Sequence, residues 1–178
     1  TAPLVQTVKE AAPVTLHAYA DDLTIVAKSR RPEDAGRAMQ VALDRVAEWS
    51  EAEFVEVAPE KSAALLLTQD PKEVNCKAAP PLHLAGAEVP YVKEPVILGV
   101  RFDCRLTFGP HALEAARKVR GRAAVLQALA ARKWGACAAT LRRVYSTFVR
   151  PAGMYASGVW FPFLAPTYRA KLESANYR

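Results

Sequence analysis

The chain has 178 residues, 51% of them hydrophobic, which is enough for one compact domain, or for one domain with a small helical extension. Its longest uncharged apolar stretch is shorter than the roughly 20 residues of a membrane helix, and its first residues lack the apolar run of a signal peptide. The net charge of +6 is uneven, because residues 1–114 carry a net charge of −5 and residues 115–178 one of +11.

The first predicted element is a β-hairpin. Short β-prone runs over residues 14–18 and 23–27 flank a polar break at Asp21-Asp22. A helix over about residues 33–50 follows, because Pro32 precedes two acidic residues and apolar residues then recur at steps of three and four. We expect one face of this helix to pack on a sheet.

Short β segments are predicted next, followed by helices. The expected β segments are 63–68, 82–84, 89–92 and a bent segment over 96–108. After Gly109-Pro110, one helix is expected to reach about Arg132 and a second to end before Pro151. This order predicts an α+β fold whose sheet-containing part ends near residue 109.

The helical part is strongly basic. No acidic residue occurs between Ala115 and Leu172, although residues 115–178 contain 12 Lys and Arg. Such an excess indicates contact with a polyanion, whereas a solvated basic surface is the alternative for any single arginine. The candidate phosphate-contacting residues are Arg117, Lys118, Arg120, Arg122, Arg132, Lys133, Arg142 and Arg143.

Two adjacent carboxylates, Asp21 and Asp22, stand at the predicted hairpin tip. Like charges held together repel each other and raise each other's pKa. A divalent cation removes that penalty, and Mg²⁺ typically binds one or two carboxylates together with substrate phosphates and water. We expect Asp21 to be the stronger metal ligand and Asp22 to assist it, with Mn²⁺ as the alternative ion, although two aspartates can also serve a turn alone.

The wider sequence resembles reverse transcriptases. Tyr19-Ala20-Asp21-Asp22 resembles their YxDD box, and the following Leu23-Thr24-Ile25 resembles the form found in non-LTR (LINE-type) retrotransposons. Four further landmarks follow in the family's order: Trp49-Ser50, Pro59-Glu60-Lys61-Ser62, the run from Leu98 to Phe108, and Val149-Arg150-Pro151 with Tyr155 and Trp160.

The resemblance implies a partial polymerase palm over residues 1–109, an antiparallel sheet with a packed helix, and a basic helical thumb over 110–178. It implies that Asp21, Asp22 and Lys61 take part in catalysis, and that Tyr19, Leu98 and Gly99 contact nucleic acid. The implied partners are an RNA template, a DNA primer, deoxynucleoside triphosphates and the remainder of the polymerase chain. Three cysteines without zinc-module spacing indicate an intracellular protein, and the nucleus is favoured over the cytoplasm.

The family's upstream catalytic aspartate is not in this sequence, so we expect the 178 residues alone to be inactive. Residues 51–58 also depart from the family's glycine-containing GL-x-(L/I)-N-P pattern. Three hypotheses follow: a piece of an RNA-directed DNA polymerase, a domesticated noncatalytic subunit of a ribonucleoprotein, or a nucleic-acid-binding module with vestigial aspartates. The first is preferred.

Overall fold

The computed structural model describes residue 8 and residues 12–70, 79–130 and 135–176. It divides the chain into two compact units, Thr1–Lys93 and Glu94–Arg178. Small antiparallel sheets and several helices make up the described part, so the mixed α and β character expected from the sequence is confirmed. No helix in the described residues is long and apolar enough to cross a membrane.

The first unit contains the expected hairpin. Strands β1 (Val14–Tyr19) and β2 (Asp22–Ala27) pair antiparallel, from Val14 opposite Ala27 to Tyr19 opposite Asp22. Partners across an antiparallel pair share a face, so the pairs alternate between an inner and an outer face. Leu16 is buried on the inner face opposite the half-buried Ile25. The predicted hairpin is confirmed.

Helix α1 (Pro32–Ala52) follows, as predicted. Proline stands in its first turn, with Glu33 and Asp34 near the positive end of the helix dipole. Ala42 and Val46 are buried and lie in one apolar cluster with Leu16, so the helix packs against the hairpin. The buried residues of the same cluster also include Ala12, Leu82, Leu84 and Val89.

The end of α1 has the hydrogen bonds of a Schellman motif. The Val55 N–H donates to the Ser50 carbonyl at 2.9 Å, and Phe54 between them has a positive φ of 55°. Glycine is the usual residue here, because a side chain is strained at positive φ. Counting back from Pro59 places the glycine of the family pattern at Phe54, so the departure seen in the sequence falls on a strained position.

The rest of this unit is a second small hairpin. Residues Pro59–Lys61 form one turn of 3₁₀ helix, and strands β3 (Leu82–Leu84) and β4 (Ala87–Val89) pair antiparallel. Gln40 of α1 binds both the N–H and the carbonyl of His83, which fixes β3 to the helix.

The prediction of a strand over residues 63–68 is wrong. Within that range only Ala64 pairs, in an isolated bridge with Tyr91. An apolar run of this length forms a strand only where a neighbouring strand accepts its hydrogen bonds, and periodicity does not reveal the neighbour. The predicted strand over 89–92 is shifted as well, since β4 ends at Val89.

The second unit starts with a third hairpin. Strands β5 (Val96–Ile97) and β6 (Val100–Arg101) pair antiparallel. The single bent β segment expected over 96–108 is therefore wrong in its detail: the chain reverses at Leu98-Gly99, and no strand forms after Arg101 up to residue 108. Instead, the Asp103 carboxylate accepts hydrogen bonds from the N–H groups of Thr107 and Phe108.

Helices complete the unit. They are α2 (Gly109–Leu129), α3 (Ala138–Val144), a π-helical turn (Tyr145–Val149), α4 (Arg150–Met154), α5 (Ser157–Trp160) and α6 (Pro166–Asn176), with a 3₁₀ turn at Phe161–Phe163. The core is formed around the fully buried Val119, Val149 and Trp160. The indole N–H of Trp160 donates to the Tyr155 carbonyl at 2.9 Å.

The helix expected to end before Pro151 continues through it. The Arg150 N–H donates to the Tyr145 carbonyl, five residues earlier, which is the hydrogen bond of a π turn. Pro151 then stands in the first turn of α4, where a missing N–H and a fixed φ are tolerated. The prediction was wrong because a π turn before Pro151 allows the helix to continue through the proline.

The predicted antiparallel sheet is present only as three separate two-stranded sheets within the described residues. The contacts also group residues 94–109 with the helices, so the compact units divide at Lys93 and Glu94, whereas composition changes near residue 109. The assignment of a palm over 1–109 and a thumb over 110–178 stays a prediction.

Candidate active site and nucleic-acid interface

The tip of the β1–β2 hairpin displays the YxDD residues to solvent. Tyr19 is 68% exposed, and Asp21 and Asp22 are also exposed. Tyr19 and Asp22 are direct cross-strand partners, so their side chains share the outer face, opposite the face that Leu16 buries against α1. Ala20 turns the chain with a φ of 53°. The hairpin thus buries one face and presents the predicted catalytic residues on the other side and at its tip.

Neither tip carboxylate is paired within the described part of the chain: the side chains of Asp21 and Asp22 form no hydrogen bond or ion pair there, although the backbone of Asp22 pairs with Tyr19. Two adjacent carboxylates supply the hard oxygen ligands that Mg²⁺ prefers, so these residues suit such an ion. The described residues contain no group of three or more His, Cys, Asp and Glu side chains able to hold a metal. A site at the tip would therefore need further ligands from water, substrate or other residues.

Lys61 lies at the end of the Pro59–Lys61 turn in the same unit as the tip. Its backbone N–H donates to the Ala58 carbonyl at 3.1 Å, and Ser62 Oγ donates to the same carbonyl at 3.1 Å. The Lys61 side chain is exposed and has no acidic partner in the described ranges. The backbone of this lysine is therefore held by local bonds, while its charge remains available.

Leu98 and Gly99 form the turn of the β5–β6 hairpin. Their φ angles are 48° and 79°, the pattern of a two-residue turn with both central residues at positive φ. The hydroxyl of Tyr155 donates to the Leu98 carbonyl at 2.9 Å. The Tyr155 ring also packs on Gly99, where an added Cβ would lie 3.0 Å from Cε1 of the ring.

The strand after this turn is anchored to α2. The Arg101 N–H donates to Nδ1 of His111 at 3.2 Å, and its guanidinium binds Glu114 at 3.0 Å. Lys118 binds the other oxygen of Glu114 at 2.8 Å. Hydrogen bonds from Lys118 and Arg101 hold the pKa of Glu114 at about 2, while burial lowers the pKa of His111, with the Glu114 charge acting against that shift.

The predicted basic residues fall into two groups. Lys118 is paired with Glu114, and Arg122 stacks on the Phe148 ring at 4.8 Å and donates to the Phe148 carbonyl at 2.7 Å. Among the predicted phosphate-contacting residues, those that are exposed and whose side chains have no partner in the described part of the chain are Arg117, Arg120, Arg142 and Arg143. Arg132 and Lys133 lie outside the described residues.

The internal roles of Lys118, Glu114 and Tyr155 were not predicted from the sequence. Glu114 and Lys118 are four residues apart on one helix, a spacing that signals an ion pair and could have removed Lys118 from the predicted interface. Tyr155 was recognised only as part of a family landmark. Its bond to Leu98 joins residues 57 positions apart, and no local pattern predicts such a contact.

The chain is similar to three curated proteins. It is 30% identical over 145 residues, 82% of the chain, to the probable RNA-directed DNA polymerase from transposon BS of Drosophila melanogaster. It is 24% identical, again over 82% of the chain, to the probable RNA-directed DNA polymerase from transposon X-element of the same organism. It is 27% identical over 164 residues, 89% of the chain, to the retrovirus-related Pol polyprotein from type-1 retrotransposable element R1 of Nasonia vitripennis.

The chain is therefore homologous to RNA-directed DNA polymerases. More narrowly, its relatives are the polymerases of non-LTR retrotransposons, which confirms the resemblance recognised in the sequence. The chain spans 16%, 15% and 47% of the length of these three relatives. No protein-family model matches it, and no solved structure does.

Proposed function

We propose that the chain is part of an RNA-directed DNA polymerase. This part would contain the YxDD metal ligands, the C-terminal portion of the palm, and the thumb. It would act in nucleotidyl transfer together with the fingers and first palm half of a longer polypeptide. The observation that carries this proposal is the pair Asp21 and Asp22, exposed and unpartnered within the described residues, at the tip of a hairpin whose other face is buried. The relationship to retrotransposon polymerases supports it.

Asp21 and Asp22 would hold the metal, with Mg²⁺ expected and Mn²⁺ as the alternative. With ions held by these two carboxylates, the site would supply Lewis-acid chemistry of the two-metal kind for the primer 3′-hydroxyl and the leaving pyrophosphate. Asp21 lies in the turn and Asp22 begins β2 beside Tyr19. We therefore assign the larger share of metal binding to Asp21, because Asp22 is constrained by its strand.

Tyr19 and Lys61 would position the substrates. The exposed Tyr19 ring lies on the same face as Asp22, where it can pack against a sugar or base of the primer end. The unpaired charge of Lys61 can neutralise negative charge that develops on the incoming nucleoside triphosphate. Both roles use side chains that the fold leaves in solvent.

The helical unit would grip the primer–template duplex. Four of the predicted phosphate-contacting residues, Arg117, Arg120, Arg142 and Arg143, are exposed and have no acidic partner in the described part of the chain. Arginines of this kind bind phosphates without regard to sequence, and the affinity falls as salt rises. Because Glu114 is occupied by Arg101 and Lys118, it does not oppose the positive surface.

The test is Mg²⁺-dependent primer extension on an RNA template, using the full-length protein that contains this chain. The variant Asp21→Ala is expected to lose at least about 100-fold in rate, since a metal site contributes several kcal/mol to transition-state stabilisation. The matched control is Glu88→Ala, which removes an exposed carboxylate on β4 of the same unit and should retain wild-type activity. Equal extension by wild type and Asp21→Ala would refute the catalytic assignment.

A second candidate is a noncatalytic subunit of a ribonucleoprotein. It is favoured by Phe54, which occupies a strained position where the family pattern has glycine, and which is 96% exposed. In that case the full-length wild type would bind an RNA–DNA duplex without extending the primer. Duplex binding and extension measured on the same preparation separate the two functions.

A further inference from the structure

The β5–β6 hairpin is too short to maintain its own shape. Only two residue pairs, Val96 with Arg101 and Ile97 with Val100, form its ladder, and an isolated two-stranded hairpin is marginally stable at best. Its turn also places Leu98 at a φ of 48°, which is unfavourable for a residue with a side chain. The conformation of the turn must therefore be maintained by contacts from outside the hairpin.

Tyr155 supplies those contacts to both turn residues. Its hydroxyl binds the Leu98 carbonyl, and its ring covers Gly99 so closely that an added Cβ would lie 3.0 Å from it. Tyr155 is itself fixed by the core, because its carbonyl accepts the indole N–H of the fully buried Trp160. A chain of contacts thus runs from the core to the turn.

This contact lies at the surface. Tyr155 is 58% exposed and Leu98 is 46% exposed, so the turn faces solvent while its backbone is held. Little apolar area is removed from water here, and the contribution to overall stability is correspondingly small. The contact determines the shape of an exposed turn more than it determines whether the unit folds.

We propose that Tyr155 is a positioning residue that holds the Leu98-Gly99 turn in the shape in which it meets the primer–template duplex. The inference rests on the proposed function, because the nucleic-acid contact of the turn comes from there. Tyr155 does not itself need to touch the duplex. Its hydroxyl and ring fix the backbone of the two residues that do.

The test compares Tyr155→Phe with the matched variant Tyr145→Phe. Both remove one phenolic hydroxyl from the same unit, but the Tyr145 hydroxyl has no hydrogen-bond partner in the described residues. Binding of a fluorescent RNA–DNA hybrid with a recessed DNA 3′ end is measured by anisotropy over a range of salt concentrations. Tyr155→Phe should bind about 3- to 10-fold more weakly, as expected for one lost hydrogen bond, with a thermal midpoint within about 3 °C of wild type.

Two further readouts distinguish positioning from general destabilisation. The salt dependence of Tyr155→Phe should equal that of wild type, because the arginine–phosphate contacts remain, whereas Arg117→Gln should reduce the slope by about 1. Gly99→Ala should also weaken binding, since its Cβ meets the Tyr155 ring at positive φ. Combined with Tyr155→Phe, its effect should be less than additive.

Unchanged binding by Tyr155→Phe would overturn the inference, as would an equal loss in Tyr145→Phe. All of these measurements use the full-length protein that contains this chain, and a wild-type full-length protein that binds no hybrid would overturn the proposed function, and the inference with it, before any variant is compared. The two failures are therefore distinguishable.

Discussion

The β1–β2 and β5–β6 hairpins both reverse the chain in two residues, and both place a residue other than glycine at positive φ. Their surroundings differ. The β5–β6 turn is bound by Tyr155, and its second strand by His111 and Glu114. The β1–β2 tip carries two carboxylates that have no partner in the described part of the chain.

The difference shows where each hairpin finds its stabilising groups. The β5–β6 hairpin is short and is completed by side chains from its own unit. The β1–β2 hairpin has a buried inner face and needs no support at its tip, but the negative charge there has no internal partner. An unpaired negative charge of this kind attracts cations, and the predictions below test the contrast.

The largest expected effect is on catalysis. In the full-length protein, Asp21→Asn should reduce primer extension by at least about 100-fold, and Asp22→Asn should reduce it less. Neither exposed substitution should lower the free energy of unfolding by more than about 0.5 kcal/mol. Primer extension and urea denaturation on the same preparations check both statements, and a stability loss of several kcal/mol would contradict the description of the tip as unsupported.

The second-largest expected effect comes from weakening the ion pair between Glu114 and Arg101, which anchors β6 to α2. Glu114→Gln should lower the free energy of unfolding of the chain by about 1 kcal/mol, because two charged hydrogen bonds are weakened at a partly exposed site. The control Glu88→Gln changes an exposed carboxylate that has no partner in the described residues, and its effect should be within about 0.5 kcal/mol of zero. Indistinguishable urea midpoints for the two variants would argue against the anchor.

The third effect depends on pH. Burial lowers the pKa of His111, so the unfolded chain binds more protons than the folded one below about pH 6.5. The free energy of unfolding should therefore fall as pH drops from about 6.5 towards the lowered pKa. The contribution of Glu114 is fully present above about pH 4.5 and is lost as pH falls towards its folded pKa of about 2, so a loss of stability between about pH 6.5 and pH 4.5 does not come from Glu114.

Urea midpoints measured between about pH 8 and pH 5 isolate the His111 window. His111→Gln should flatten the decrease below pH 6.5, whereas His83→Gln, at an exposed histidine of β3, should keep the wild-type slope. A wild-type slope in His111→Gln would contradict the assignment.

The smallest effect concerns the turns themselves. Ala20→Gly relieves a positive φ but increases the entropy of the unfolded chain, so the net change should be within about 0.5 kcal/mol of zero. Leu98→Gly should also change stability little, yet it should weaken hybrid binding, because it removes an exposed side chain from the proposed interface. Thermal midpoints and anisotropy measure the two quantities separately.

Local sequence signals correctly predicted the elements whose formation depends mainly on nearby residues. Pro32 with the acids after it marked the start of α1, and two short β-prone runs on either side of the Asp21-Asp22 break marked the first hairpin. Residues 63–68 and the end of the helix at Pro151 were predicted incorrectly, because the first depends on a pairing partner and the second on a π turn. Neither is encoded in nearby residues.

Some features of the candidate site could also be predicted from nearby residues, and others could not. The position of Asp21 and Asp22 at a hairpin tip followed from the hairpin pattern. The internal pairing of Arg122 and the contact of Tyr155 with Leu98 did not, because those partners are 26 and 57 residues away in the sequence. Net charge indicated a basic surface, but only the folded arrangement separates the exposed arginines from those already bound.

The first sheet has only two strands in the described part of the chain, so β1 and β2 each have an outer edge without a neighbouring strand. Unpaired strand edges are templates for further strands, and this hairpin also exposes Leu23 and Val26. We therefore expect these edges to favour edge-to-edge association of the 178-residue chain. Its solubility would be improved by co-expression with a segment that supplies an adjoining strand.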